Sequence, residues 1–144
     1  MQRRALMRFM LAGIVAVTAL CSSSGCSRIR AAERLVERWE KAYNSHDLPG
    51  FSALYSQEGS FFVPGTIAEA KSSAQVRRFM DAVWRQTKDG QIKVVGAVIV
   101  DGDRVAFRWE LTGTPPMSAR KVLYGATFLR LEQGQIKEEF MFHS

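Results

Sequence analysis

Cysteine is scarce: the chain has two in 144 residues. Both, Cys21 and Cys26, lie near the N-terminus, so everything after Cys26 lacks a thiol nucleophile, a thiolate metal ligand and an intramolecular disulfide. Histidine is equally rare. His46 and His143 stand far apart with no acidic cluster beside them, which leaves no metal-ligand spacing and implies no metal. Neither a glycine-rich phosphate loop nor a serine-nucleophile motif is present, and nothing points to a cofactor. The apolar run Phe9 to Leu20 is well short of the roughly 20 residues that span a bilayer, so a transmembrane anchor is the weaker reading. Arg77-Arg78 is the only adjacent arginine pair after the first residues, and it sits in an otherwise mixed helix. Without a basic stripe interleaved with aromatics, nucleic acid is not an expected partner. No internal repeat or low-complexity linker divides the chain.

What is present begins with an address. Arg3, Arg4 and Arg8 form a basic start, Phe9 to Leu20 an apolar run, and Cys21-Ser-Ser-Ser-Gly-Cys26 a small-residue segment. Basic, apolar, then small is the order of a secretory signal peptide. The segment resembles a bacterial lipoprotein signal, in which cleavage precedes a cysteine that is then lipidated. Gly25 supplies the small residue ahead of Cys26, whereas Leu20 does not do so for Cys21; Ser23 departs from the leucine usual there. The resemblance implies a signal peptide over 1–25, lipidation at Cys26 and one domain over 26–144. Ser27 resembles the pattern sorted to the outer membrane. The expected location is therefore the bacterial cell envelope, on the outer membrane facing the periplasm, with a soluble periplasmic or secreted protein as the alternative. Loss of the three leading arginines would lower the net charge from +6 to +3, so the basic balance belongs partly to the signal.

The domain is organised around Asp101 to Gly113. Val105, Phe107, Trp109 and Leu111 alternate with Arg104, Arg108, Glu110 and Thr112, the period of a half-buried strand. Asp101-Gly102 predicts a two-residue hairpin of type I′ joining it to a strand over Gln91–Val100. Two more strands are expected over Ala119–Leu131 and Gln135–His143, with breaks at Thr114-Pro-Pro116 and Gln133-Gly134. Upstream, Leu35, Val36, Trp39, Ala42 and Tyr43 predict an amphipathic helix from Ile29 to Ser45. Asp47 caps a short second helix carrying Leu48, Phe51, Leu54 and Tyr55. Gln57-Glu-Gly59 is read as a turn, Ser60–Val63 as a short strand and Thr66–Lys71 as a loop. A third helix runs from Ser72 or Ser73 to Lys88, with Val76, Phe79, Met80, Val83 and Trp84 on its apolar side. Helices followed by an antiparallel meander give an α+β fold, with the helices covering one face of the sheet.

From about Ala31 to His143 the chain resembles the NTF2-like superfamily, in particular its SnoaL-like and ketosteroid-isomerase-like branch. The resemblance is carried by Trp39-Glu-Lys-Ala-Tyr-Asn-Ser-His-Asp47, Leu54-Tyr55, Phe62-Val-Pro64, Asp101-Gly-Asp-Arg-Val-Ala-Phe-Arg-Trp109, Leu129-Arg-Leu131 and Gly134-Gln-Ile136. It implies a cone-like curved antiparallel sheet whose three N-terminal helices enclose a pocket, often in a homodimer. It does not imply one activity, because such a fold hosts several chemistries and non-catalytic modules. Residue by residue, Trp39 stands where a ketosteroid isomerase has its tyrosine, Val63 where it has its carboxylate base, and Thr127 where it has its second acid. The same strand position of Thr127 would hold the base of a SnoaL-type cyclase. The missing acids weigh against both activities.

On the last strand, Ile136, Glu138, Phe140 and Phe142 alternate with Lys137, Glu139, Met141 and His143, and the resemblance turns the second set to the pocket. The expected pocket lining is Trp39, Tyr43, Phe79, Phe107, Trp109, Thr127 and Met141. Tyr43, Glu139 and His143 are the candidate catalytic groups, although Glu139 and His143 lie roughly 13 Å apart along the strand. Phe140 and Phe142 would face outward and suit a two-fold dimer through the outer sheet face. Three functions fit: a lipid-anchored, non-catalytic domain binding a small apolar molecule or an envelope partner; an isomerase, dehydratase or cyclase with an unusual acid–base set; and a ligand-free homo-oligomeric assembly module. The first is preferred at this level.

Overall fold

Apolar residues at spacings of three and four wind into α1 (Ser23–Asn44) in the computed structural model, which describes residues 23–64, 69–114 and 121–144. Residues 1–22 of the expected signal segment, Cys21 included, and Gly65, Thr66, Pro115, Pro116 and Ala119 lie outside the described residues. Helix α1 starts six residues before the expected Ile29, but its first core residue is Ala32; Leu35, Val36, Trp39, Ala42 and Tyr43 follow on the same buried face. Its end is fixed by Asn44. That side chain accepts from Ile92 N–H at 2.7 Å and donates to Ile92 C=O at 2.8 Å, pairing with the start of β3 as a neighbouring strand would.

Helix α2 (Leu48–Ser52) is capped by Asp47, whose carboxylate accepts from Gly50 N–H at 2.9 Å, and Pro49 occupies its first turn. It is one turn shorter than expected. Tyr55 does not continue it but opens β1 (Tyr55–Phe62), which runs parallel to the last strand. The expected turn at Gln57–Gly59 is instead a register irregularity within β1, between Tyr55 and Ser60. Gly59 is required there: a β-carbon would stand 2.7 Å from the Ile136 carbonyl oxygen. Part of the expected 66–71 loop forms β2 (Glu69–Ala70), antiparallel to β1. Ser72 caps α3 (Ser73–Gln86), which buries Val76, Met80 and Trp84 while Phe79 and Val83 stay half-buried.

The remaining strands are β3 (Gln91–Asp101), β4 (Arg104–Gly113), β5 (Lys121–Glu132) and β6 (Gln135–His143). They complete one six-stranded sheet in the order β2-β1-β6-β5-β4-β3, antiparallel except for β1 against β6. Of the two central residues in the β3–β4 turn, only Gly102 has positive φ (61°), so this turn is not type I′. The turn with positive φ at both positions is Gln133-Gly134, at 50° and 78°.

Two bulges curve the sheet. In β3, Gly96 (φ 76°) lies where the pairing shifts between Val95 and Ile99. In β6, Arg130 pairs with Glu138 but Leu131 pairs with Ile136, so Lys137 is the extra residue. This corrects the uninterrupted alternation read from the sequence. Glu138, Phe140 and Phe142 do leave Glu139 on the opposite face, but the bulge brings Ile136 inward to full burial. The concave face packs Ile92, Val105, Phe107, Trp109, Leu129 and Ile136 against α1, α2 and α3. The convex face exposes Ile99, Val122, Tyr124, Phe128, Phe140 and Phe142.

Candidate functional site

The concave face carries one acid in its core. Glu139, in the middle of β6, is 1 % exposed and lies between Leu129 of β5 and Phe61 of β1 in the pairing of the strands. Its Oε2 accepts two hydrogen bonds: Tyr55 Oη–H donates through a short contact, and Trp39 Nε1–H donates at 3.3 Å. Its Oε1 is buried and has no hydrogen-bond partner among the described residues. Three elements converge on this carboxyl: β6 supplies the acid, α1 the indole and the start of β1 the phenol.

Sequestration from water disfavours the carboxylate and raises the Glu139 pKa from its ordinary value to about 7; the bonds from Tyr55 and Trp39 pull it partly back. Tyr55 moves well above 10, first through burial and then through the adjacent Glu139 charge and their hydrogen bond. The phenol therefore stays protonated and acts as a donor, while Glu139 can exchange a proton near neutral pH. Such a carboxyl has the properties a general base or acid needs.

The aromatic surroundings are built by Trp39, which is fully buried. Its ring stacks on Tyr43 at 5.9 Å and meets Phe107 edge-on at 5.1 Å, and Phe51 bridges it to Tyr55. The second buried polar pair is Trp109 Nε1–H donating to Thr127 Oγ1 at 3.0 Å, which satisfies both groups without a charge. Gly125 makes room for that indole, since a β-carbon there would stand 2.2 Å from the Trp109 ring.

The residues singled out from sequence divide clearly. Trp39, Tyr43, Phe107, Trp109 and Thr127 are buried on the concave side, and Phe79 and Met141 are half-buried beside them, with Phe79 5.1 Å from Phe61. Tyr43 is raised to about 12 by burial, which makes it a permanent O–H donor and not a proton shuttle. His143 is exposed at the end of β6, opposite Gly125. The structure therefore does not bring it together with Glu139. Val63 is buried, and no acid takes its place at that position. His46 is half-buried and stacks on Trp84 at 5.1 Å with its backbone at φ 52°.

Tyr55 is the partner that sequence reasoning does not find. Its contact with Glu139 depends on the parallel pairing of β1 with β6, and no local pattern encodes that pairing. The acid itself had a signal: a charged residue on the inward side of an otherwise apolar strand. Among the described residues, no group of three or more His, Cys, Asp or Glu side chains could hold a metal ion.

The profile of the SnoaL-like domain matches residues 36–139, which include both Trp39 and Glu139. No curated protein matches the chain in sequence. Solved structures share the fold at low identity. A protein of ketosteroid isomerase-like fold from Catenulispora acidiphila, in complex with trimethylamine, superposes with a TM-score of 0.71 at 15 % identity, covering 76 % of this chain and 85 % of that one. A candidate SnoaL-like polyketide cyclase from Jannaschia sp. CCS1 gives 0.71 at 17 %, covering 80 % and 86 %. An LEH-like epoxide hydrolase of M. tuberculosis gives 0.69 at 13 %, covering 81 % and 85 %. With a profile matched across most of the chain and a curved six-stranded sheet roofed by helices, this chain belongs to the SnoaL-like domain family, on the NTF2-like fold.

Proposed function

We propose that this chain acts on a small apolar molecule by proton transfer, with Glu139 as the base and Tyr55 and Trp39 as the donors that hold it. The observation that carries this is the Glu139 carboxyl: buried, ionising near neutrality, bonded on one oxygen and unpartnered on the other. The sequence alone favoured a non-catalytic binding domain because the expected acid positions are empty of acids. Glu139 supplies a carboxyl beside Trp39 from a different strand, and this moves the preference to the enzymatic alternative. The names of the structural neighbours, an isomerase-like fold, a cyclase and an epoxide hydrolase, are compatible with acid–base work but do not choose a reaction.

Because Glu139 is sealed from solvent, a substrate reaches Oε1 only when part of the aromatic lining moves aside. The same burial favours a second reading, in which Trp39, Tyr55 and Glu139 pin α1 to β1 and β6 and the domain only binds. Turnover of a β,γ-unsaturated ketone and of a small aliphatic epoxide separates the two. Catalysis predicts product whose rate rises through about pH 7, as the base ionises, and is lost in Glu139→Gln. No turnover by the parent protein, or turnover unchanged in Glu139→Gln, would count for binding alone.

We further infer attachment to the cell envelope through a lipid on Cys26. Supporting this, Cys26 is exposed and precedes Ala32, the first core residue of α1, so an attached lipid would disturb no packing. Mass spectrometry of the membrane-extracted protein should show the chain beginning at an acylated Cys26; an unmodified cysteine would refute it. A two-fold dimer through the convex face belongs to the same proposal. Phe128, Phe140 and Phe142 are 50 %, 41 % and 45 % exposed there, an apolar patch that a second copy would cover.

A further inference from the structure

The charges of α1 fall into two neighbouring stripes that line different hollows. Arg30, Arg34 and Arg38 follow Cys26 at intervals of four residues, so they are neighbours along one edge of the helix. All three are exposed, and among the described residues none is held in an ion pair. Arg34 and Arg38, joined by Arg28, line a groove of about 790 Å³ between α1 and the turns Gly102-Asp103 and Gln133-Gly134. Its floor is apolar, with Leu35 and Leu131. The acids of α1 are elsewhere: Glu33, Glu37 and Glu40 line a separate hollow toward the β3 bulge. One carboxylate, Asp103, does line the arginine groove, and it also interacts electrostatically with Arg130.

From this separation we propose that the arginine edge of α1, with its groove, is a docking surface for the anionic phospholipid headgroups of a membrane. Guanidinium forks match phosphate oxygens, and the apolar floor admits the less polar part of a lipid beneath its headgroup. The acidic stripe lies about a quarter-turn round the helix from the arginines, so it stands to the side of that contact. The proposal rests on the envelope reading for its biological setting, but not on lipidation of Cys26. An anchor at the start of α1 holds the domain near the bilayer; the arginines then fix which side of the helix meets it.

The full chain carrying Cys26→Ser serves as the test, because no lipid can then be attached and the N-terminal segment is common to every arm. Binding is measured by co-sedimentation with phosphatidylcholine vesicles and with vesicles that also contain phosphatidylglycerol. Each basic residue at an anionic surface strengthens partitioning about fivefold. The added Arg34→Gln/Arg38→Gln pair should therefore lose about 25-fold of the affinity for anionic vesicles, with a shallower salt dependence and unchanged binding to phosphatidylcholine. Glu33→Gln/Glu37→Gln on the neighbouring stripe should cause no loss. Equal binding by the arginine variant, or the same loss from the glutamate variant, would overturn the proposal. Competition by inorganic phosphate at constant ionic strength would also overturn it, by assigning the groove to a free anion. A failure here leaves the mass of Cys26 unaffected, so the two proposals fail separately.

Discussion

Glu139 is the residue whose protonation distinguishes this molecule from an ordinary α+β core. A carboxyl that ionises near pH 4.5 when unfolded and near 7 when folded retains its proton longer in the native state. Its contribution to stability is greatest below the unfolded pKa, falls as pH rises between about 4.5 and 7, and is constant above that. The full swing is of order 3 kcal/mol at about 1.4 kcal/mol per pKa unit. Glu139→Gln, which keeps the shape and cannot ionise, should abolish this part of the pH dependence and raise stability at pH 8 relative to the parent protein. Urea denaturation at pH 5 and pH 8 measures it; parallel pH profiles for the two proteins would contradict the buried ionisation. The half-buried Arg130–Glu138 pair, bonded at 2.7 Å and 3.0 Å, behaves oppositely, since its Glu138 pKa is lowered by Arg130. Half in solvent, such a pair adds little.

The elements were legible where their signal is local. The alternation of Val105, Phe107, Trp109 and Leu111 marks β4, and the apolar spacing of α1 and α3 marks the two long helices. What the sequence could not supply was pairing between distant segments. Tyr55 reads as the end of an amphipathic helix, and only its place beside Ile136 in a parallel pair makes it strand. The bulge at Lys137 is equally silent, because period two continues on both sides of it and only the cross-strand register shows the slip. Candidate residues followed the same rule: Glu139 and Trp39 are visible as inward positions, whereas their meeting is tertiary. Asn44 is a further tertiary link, joining α1 to β3 through Ile92. Asn44→Ala removes both bonds and should cost about 1–3 kcal/mol. Faster amide exchange at Ile92 should accompany it; an unchanged denaturation midpoint would show the link to be dispensable.

At the scale of the whole molecule, the sheet divides two tasks. Its concave face and the helices enclose the ionisable site, and its convex face presents Phe128, Phe140 and Phe142, with Phe62 edge-on to Phe140 at 6.0 Å and Phe128 edge-on to Phe142 at 5.8 Å. If a second copy covers that patch, Phe140→Asp/Phe142→Asp should shift the protein from dimer to monomer in sedimentation at micromolar concentration, without loss of fold. A parent protein that sediments as a monomer would remove the dimer from the account. Both faces depend on β6, which places Glu139 inward and the two phenylalanines outward. The acid–base proposal as a whole stands on the state of one carboxyl, and that state can be observed directly. Carbon-13 NMR titration of the glutamate side-chain carboxyls, with Glu139 assigned by its loss in Glu139→Gln, should show one resonance titrating near pH 7. A Glu139 carboxyl that titrates at its ordinary value near 4.5 would contradict the account.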